Sequence, residues 1–228
     1  MEVPPVGPTE AAAHLWATLD EPWQEAFRQA WEALRSGNIP VGACASTRDG
    51  KIIHAARNRV NDRTGPPGEI FGSSLAHAET NVLARLPFRG GRNLVLTTTL
   101  EPCLQCAAAI RLGPIETVRF AGADRYWDGC HEFGKLSARE AGRYQPARIG
   151  PRRNELGVFA TLISRIGPAL MPRYEQALRS LGEGATADLA HELQDEGEVE
   201  LLAAMEVDEA LGYLWSRVHQ VMKVMPAS

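Results

Sequence analysis

Cysteine is scarce in this chain, four residues in 228. That excludes a disulfide-stapled scaffold and, in a reducing compartment, leaves metal binding or catalysis as the use of a thiol. Long apolar runs are missing as well. None approaches the roughly 18 residues a membrane span needs, which excludes a transmembrane helix. Residues 1–8 have neither a basic head nor an apolar stretch, so no secretory signal is expected, and a cytoplasmic location follows by default. Positive charge is not in excess: 24 Lys and Arg face 28 Asp and Glu, a net charge of −4. The balance is uneven, with 17 basic against 16 acidic residues over 1–150 and 7 against 12 over 151–228. Neither part has the surplus a nucleic-acid binder draws on, although a local arginine patch stays open. Repeats and low-complexity tracts are also absent. What is present, 44% hydrophobic and 23% charged residues, is enough for a real core and excludes a disordered chain.

Trp23, Phe27, Ala30, Trp31 and Leu34 recur at helical spacing behind a capping Asp20 and a first-turn Pro22. A helix is therefore expected from about Asp20 to Ser36, stopped by Gly37-Asn38. Pro40–Thr47 reads as a buried strand, Arg48-Asp49-Gly50 as a turn, and Lys51–Arg57 as the returning strand of a hairpin. Residues 59–75 form a loop long enough to be functional or disordered. A helix over about Ala76–Leu86, a strand over Asn93–Thr99, a helix over Leu104–Leu112 and a strand over Thr117–Ala121 follow. This order favours an α/β sheet covered by helices on both faces. From about Arg153 the pattern is all helical. One segment buries Leu156, Phe159 and Ile163, a second starts at Pro168, a third covers Thr186–Leu193 and a last covers Glu198–Val224. Two parts are expected, a domain over 1–150 and a helical C-terminal extension over 151–228 that serves as a cap or an oligomer interface.

Two short stretches carry chemistry: Ala76-His77-Ala78-Glu79 after the long loop, and Glu101-Pro102-Cys103-Leu104-Gln105-Cys106 after a strand. Cys103 and Cys106 are three residues apart in a first helical turn, so their sulfurs point the same way. Pro102 costs little at a helix start, where its missing amide proton would have had no partner. The positive end of a helix favours thiolates, the form that binds metal. An imidazole and two thiolates suit zinc, and three protein ligands leave a fourth position open for water. Zinc lowers the pKa of that water towards roughly 7, and Glu79 is placed to take its proton and pass it to a ring nitrogen and then to a leaving amine. The pattern describes hydrolytic deamination of an amidine-like carbon.

His77-Ala78-Glu79 with Pro102-Cys103-x-x-Cys106 resembles the zinc signature of the cytidine deaminase superfamily. Thr99-Leu100-Glu101-Pro102-Cys103, the small-residue run from Cys106 to Ile110 and Gly122-Ala123 resemble its tRNA adenosine deaminase and guanine deaminase branch. The similarity covers about residues 20–130. It implies a three-layer α-β-α sheet of about five strands, with Zn2+ between two helix N-termini, held by His77, Cys103 and Cys106. It also implies Glu79 as the catalytic proton carrier, Asn58 as a substrate-binding residue and a homo-oligomer, a dimer first.

The ordinary readings are a core cysteine for Cys44, an inert loop thiol for Cys130 beside His131, and a structural carboxylate for Glu101. Tyr126, Trp127 and Phe133 suit stacking on a base or packing of a lid, and Arg57, Arg59 and Arg63 suit an anion or nothing specific. The first expectation is a zinc-dependent hydrolytic deaminase of a free nucleobase, nucleoside or related small amino-heterocycle. In it, zinc-bound hydroxide attacks the amine-bearing ring carbon and ammonia leaves. The alternatives are a tRNA or nucleic-acid adenosine deaminase and a catalytically silent zinc-binding partner subunit. An intact Glu79 argues against the last. No membrane partner is expected.

Overall fold

The structure, a computed structural model, describes residues 8–87, 91–167 and 184–224. The helix α1 (Pro8–Ala17) precedes the amphipathic helix α2 (Glu21–Arg35), where Asp20 accepts from the Trp23 amide at 3.2 Å, as its sequence position predicts. The strands β1 (Gly42–Ser46) and β2 (Ile52–Arg57) form the expected hairpin, turned through Gly50 at φ +89°. Then come α3 (Ala78–Ala84), β3 (Leu94–Leu100), α4 (Leu104–Leu112), β4 (Ile115–Gly122), a short α5 (Ala138–Ala141) and β5 (Ala147–Ile149). The chain continues with α6 (Glu155–Ile163), α7 (Gly184–Asp195), α8 (Glu198–Ala204) and α9 (Val207–Val224). The segment expected to start at Pro168 falls at 168–183, outside the described residues.

The sheet order is β2-β1-β3-β4-β5, with β1 antiparallel to both β2 and β3, and β3, β4 and β5 parallel. Strands β2, β3 and β4 therefore all run in one direction, and their carboxyl ends share one edge of the sheet. Side-chain alternation sorts the faces. Ala43, Ala45, Leu94, Leu96, Val118 and Phe120 meet Ala78 and Val82 of α3 and Cys106 and Ile110 of α4. Ala121, on the opposite face, meets α2 and α6. This is the expected three-layer α-β-α arrangement around a five-stranded sheet.

The second core is aromatic and lies on the α2 side. Phe27 and Trp31 stack on Phe159 of α6, with ring centroids 6.0 and 6.2 Å apart, and all three rings are buried. Leu193, Leu202, Leu211 and Leu214 close it from α7, α8 and α9. Burying each such side chain contributes about 1.5–3 kcal/mol. The described helices after residue 150 thus join the sheet on the face opposite α3 and α4.

Three features differ from the sequence reading. Helix α1, for which no element was expected, lies along α9 and buries Ala12 there. Its apolar side is visible only once a distant partner is in place. The single terminal helix expected over Glu198–Val224 is two helices, because Met205 turns extended (φ −82°, ψ 163°). Its carbonyl accepts from Trp31 Nε1 at 2.9 Å and Arg35 Nη2 at 2.6 Å, and the Glu206 amide donates to Glu209 at 3.0 Å, capping the next helix. Finally, β5 is only three residues long, too short for an alternating pattern to mark it.

No helix among the described residues is long and apolar enough to cross a membrane.

Candidate metal centre and active site

Two helix starts meet beside the carboxyl edge of β2 and β3. His77 is the N-cap of α3 and Cys103 the N-cap of α4, both in extended backbone conformation. Neither side chain caps its own helix, so both are free to turn towards each other. Cys106 follows one turn into α4 and is fully buried. His77 Nδ1 lies 3.5 Å from Cys103 Sγ and 3.5 Å from Cys106 Sγ, and the three donor atoms fall within 4.8 Å of one another.

This spacing suits zinc. Bonds of about 2.3 Å to sulfur and 2.0–2.1 Å to nitrogen at the tetrahedral angle place nitrogen and sulfur roughly 3.6 Å apart. The donor set, one imidazole and two thiols, matches the same ion, and His77, Cys103 and Cys106 are positioned to bind it. Cys44 and Cys130 belong to no such group among the described residues. Burial pushes the Cys44 thiol up to about 12 and the Cys130 thiol up to about 11, and Cys130 Sγ lies 3.5 Å from the Pro102 carbonyl, to which it donates.

The two thiols are pushed in opposite directions. A hydrogen bond from Cys106 pulls the Cys103 thiol down to about 4 against the cost of burial, and His77 adds a second hydrogen bond. The hydrogen bond with Cys103, and burial after it, push the Cys106 thiol well above the ordinary thiol range. The contact between Cys103 Sγ and His77 Nδ1 raises His77.

Glu79 stands against this group with only 3% of its surface exposed. Its Oε1 accepts from Thr98 Oγ1 at 3.2 Å and its Oε2 from Cys106 Sγ at 3.4 Å. Burial, with the Cys103 charge adding to it, holds its carboxyl above the usual carboxylate range. A carboxyl kept this close to three soft donors, but outside their triangle, is suited to hold and release a proton.

Asn58 sits at the end of β2 and is buried. Its Oδ1 accepts from the Val60 amide at 3.1 Å, and its backbone amide donates to the Val41 carbonyl at 2.9 Å. Its Nδ2 has no acceptor among the described residues. The next amide, of Arg59, donates to the Ala76 carbonyl at 2.9 Å, which draws the end of β2 to the start of α3.

The long loop is ordered by charge pairs. Asp62 takes Arg57 at 2.8 Å and Arg59 at 2.8 Å, and Glu69 takes Arg59 at 2.5 Å and Arg85 at 3.2 Å. Arg57 and Arg59 are thus engaged within the chain. Glu101 accepts from Arg148 at 2.6 Å and from the Asp124 amide at 3.4 Å, tying β5 to the approach to α4.

Three supporting residues escaped the sequence reading. Thr98 orients Glu79, and its place on the Leu94-Leu96-Thr98 face of β3 was the available signal. Gln105, between the two cysteines, donates to the Leu75 carbonyl at 3.1 Å and to Thr80 Oγ1 at 3.2 Å, joining the two helix starts. Asn81 on α3 holds both backbone groups of Ile70, at 2.7 and 3.0 Å. Nothing local marks Asn81, because its partners are 11 residues away in the loop.

A model of the cytidine and deoxycytidylate deaminase zinc-binding region matches residues 18–121. The chain is 32% identical over 111 residues to tRNA-specific adenosine deaminase 2 of Xenopus tropicalis, covering 46% of this chain and 63% of that protein. It is 31% identical over 120 residues to the tRNA-specific adenosine deaminase of Streptococcus pyogenes serotype M18, covering 50% and 68%. A solved structure from a study of tRNA:A34 deaminases shares 26% identity, covering 55% of this chain and 93% of that one, with a TM-score of 0.43. The chain thus spans a little under two thirds of the Xenopus relative.

Proposed function

Because this chain belongs to the cytidine and deoxycytidylate deaminase family, we propose that it is a hydrolytic deaminase acting on an adenosine presented by a tRNA. The observation that carries the deaminase reading is the buried Glu79 carboxyl, 3.4 Å from Cys106 Sγ and beside a His-Cys-Cys donor set. His77, Cys103 and Cys106 would hold a zinc ion there, which would supply a Lewis acid for activating water. In this reading Glu79 takes the proton of the attacking water at Oε2 and delivers it to a ring nitrogen, while Thr98 keeps Oε1 in place. It then takes a second proton from the hydroxyl now on the ring carbon and gives it to the departing amine, which leaves as ammonia. Asn58, whose oxygen is engaged by Val60, offers its Nδ2 to the base.

Two things support the tRNA substrate. The relatives just described are tRNA-specific adenosine deaminases. Moreover, Leu75, Leu104 and Tyr126, which flank the metal ligands in sequence or follow β4 at the same sheet edge, are 52%, 48% and 43% exposed. Exposed flat or apolar side chains around a pocket suit the splayed bases of a single-stranded loop. This order reverses the one expected from composition alone, which placed a small amino-heterocycle first. The small-molecule reading keeps one support: Arg57, Arg59, Arg85 and Arg148, the arginines tied to the loop and to Glu101, are all paired with carboxylates.

The experiment is ammonia release by the zinc-loaded chain on a tRNA transcript, free adenosine, guanine and cytosine, repeated across a salt series. Turnover of the transcript with steep loss at higher salt is the expected result. Turnover of a free base without the transcript would replace this substrate by the small-molecule one. The helices after residue 150 are proposed as an interface between copies in a homo-oligomer, which sedimentation at several concentrations tests.

A further inference from the structure

Helix α4 has a second flank. On the side away from α3, a cavity of about 300 Å³ lies between Ile110 and Arg111 of α4, Val118 of β4 and the segment His131–Lys135. Its volume is at the lower end of small-molecule sites. It shares none of His77, Glu79, Cys103 and Cys106 with the metal centre.

Arg111 is the unusual member of this cavity. It is only 4% exposed, yet a guanidinium keeps its charge and five N–H donors at any working pH. One nitrogen, Nη2, is used: it donates to the Glu140 carbonyl at 2.6 Å and pairs with the Glu140 carboxylate at 3.0 Å. The buried Nε and Nη1 have no acceptor among the described residues, and neither has Nδ1 of His131 across the cavity. The Phe133 ring, 5.4 Å from the Arg111 guanidinium carbon, holds it from one side.

The other charges around the cavity are committed. Arg148 is bound to Glu101 at 2.6 Å, and Lys135, exposed at the mouth, pairs with Glu132. Glu140 is the only carboxylate paired with Arg111 among the described residues. A buried cation with two idle donors is costly unless something supplies acceptor oxygens. The walls beyond it, Ile110, Val118 and Phe133, are apolar.

We propose that this cavity is a second ligand site, separate from the metal centre, which takes a small molecule bearing a carboxylate or phosphate oxyanion on a compact apolar body. The Arg111 guanidinium, whose Nε and Nη1 have no acceptor among the described residues, supplies the charge for the oxyanion, and His131 lines the same cavity. The site is independent of the deaminase reading and survives if that reading fails.

The test uses the zinc-loaded full chain, titrated with inorganic phosphate and separately with benzoate, each against chloride at matched ionic strength. Thermal unfolding and calorimetry are read together. Saturable stabilisation by at least one of the two oxyanions is expected, and which one acts identifies the head group. Arg111→Met is expected to weaken that binding at least tenfold. A response equal to that of chloride, or one unchanged in Arg111→Met, overturns the proposal. Should that variant fail to fold, the wild-type chain labelled on histidine nitrogen decides. The His131 ring resonances are expected to shift with the same midpoint as the calorimetry, and unshifted resonances at saturation overturn the site.

Discussion

Replacing Glu79 by glutamine separates the proton carrier from the metal site it adjoins. The carboxamide keeps the shape of the side chain, so its oxygen still accepts from Thr98 Oγ1, now 3.2 Å away, and its nitrogen faces Cys106 Sγ at the present 3.4 Å. Glu79 is almost fully buried, and an isosteric exchange there leaves packing intact, so folding stability is expected to change by less than about 1.5 kcal/mol. His77, Cys103 and Cys106 are untouched, and zinc is expected to remain at one per chain.

The chemical step fares differently, because an amide neither takes nor returns a proton. Positioned acid–base groups contribute roughly 10²–10⁴ in rate, which is about 2.7–5.4 kcal/mol of barrier. Ammonia release by Glu79→Gln is therefore expected to fall by at least two powers of ten at unchanged zinc content. Elemental analysis, thermal unfolding and an ammonia assay on one preparation suffice. A rate within tenfold of the parent with full zinc refutes the proton role. Loss of zinc refutes the placement of Glu79 outside the ligand set.

Three further perturbations probe the metal, the loop and the core. Cys103→Ala is expected to lose zinc and, since metal binding is linked to folding, to unfold at a lower temperature, and a variant that still holds one zinc per chain would show the ligand assignment to be wrong. Asn81→Ala removes the bonds to both backbone groups of Ile70, at a cost of about 1–3 kcal/mol, and is expected to speed hydrogen exchange at the Ile70 amide. Unchanged exchange there would remove Asn81 as the tether of the loop. Phe159→Ala empties a fully buried position stacked on Phe27 and Trp31 and is expected to cost about 3–5 kcal/mol in urea unfolding. A loss under about 1 kcal/mol would mean that α6 is not part of the core built on α2.

The elements that were legible in the sequence are those whose signals are local. Asp20 and Pro22 mark the start of α2, Gly113-Pro114 the end of α4, and Gly50 the hairpin turn, each through a backbone requirement met within four residues. The two metal-binding stretches were legible for the same reason, since ligand spacing within one helical turn is itself local. What escaped depends on partners far along the chain. The break at Met205 exists because Trp31 and Arg35, 174 and 170 residues away, compete for its carbonyl. Thr98 and Asn81 acquire their roles only when β3 and the loop are brought to α3. The substrate was not legible in this way: charge composition ranks a small substrate first, and a count of arginines does not show which are neutralised by neighbours such as Asp62 and Glu69.

The direction of three strands accounts for why residues spread over some seventy positions come to one edge of the sheet. Because β1 is antiparallel to both of its neighbours, β2 and β3 run the same way, and β4 is parallel to β3. Asn58, Cys103 and Tyr126 each follow the carboxyl end of one of these strands, so all three are delivered to a single edge. His77 arrives there because the Arg59 amide holds the Ala76 carbonyl, so the loop of residues 59–75 leaves that edge and returns to it. A site at the carboxyl ends of same-direction strands is the usual consequence of such a sheet. The loop's length is then immaterial to the metal centre so long as that one closure survives. Its interior is pinned by Asp62, Glu69 and Asn81, and its last residues are fixed to the helix starts where the Leu75 carbonyl accepts from Gln105 and from the His77 amide.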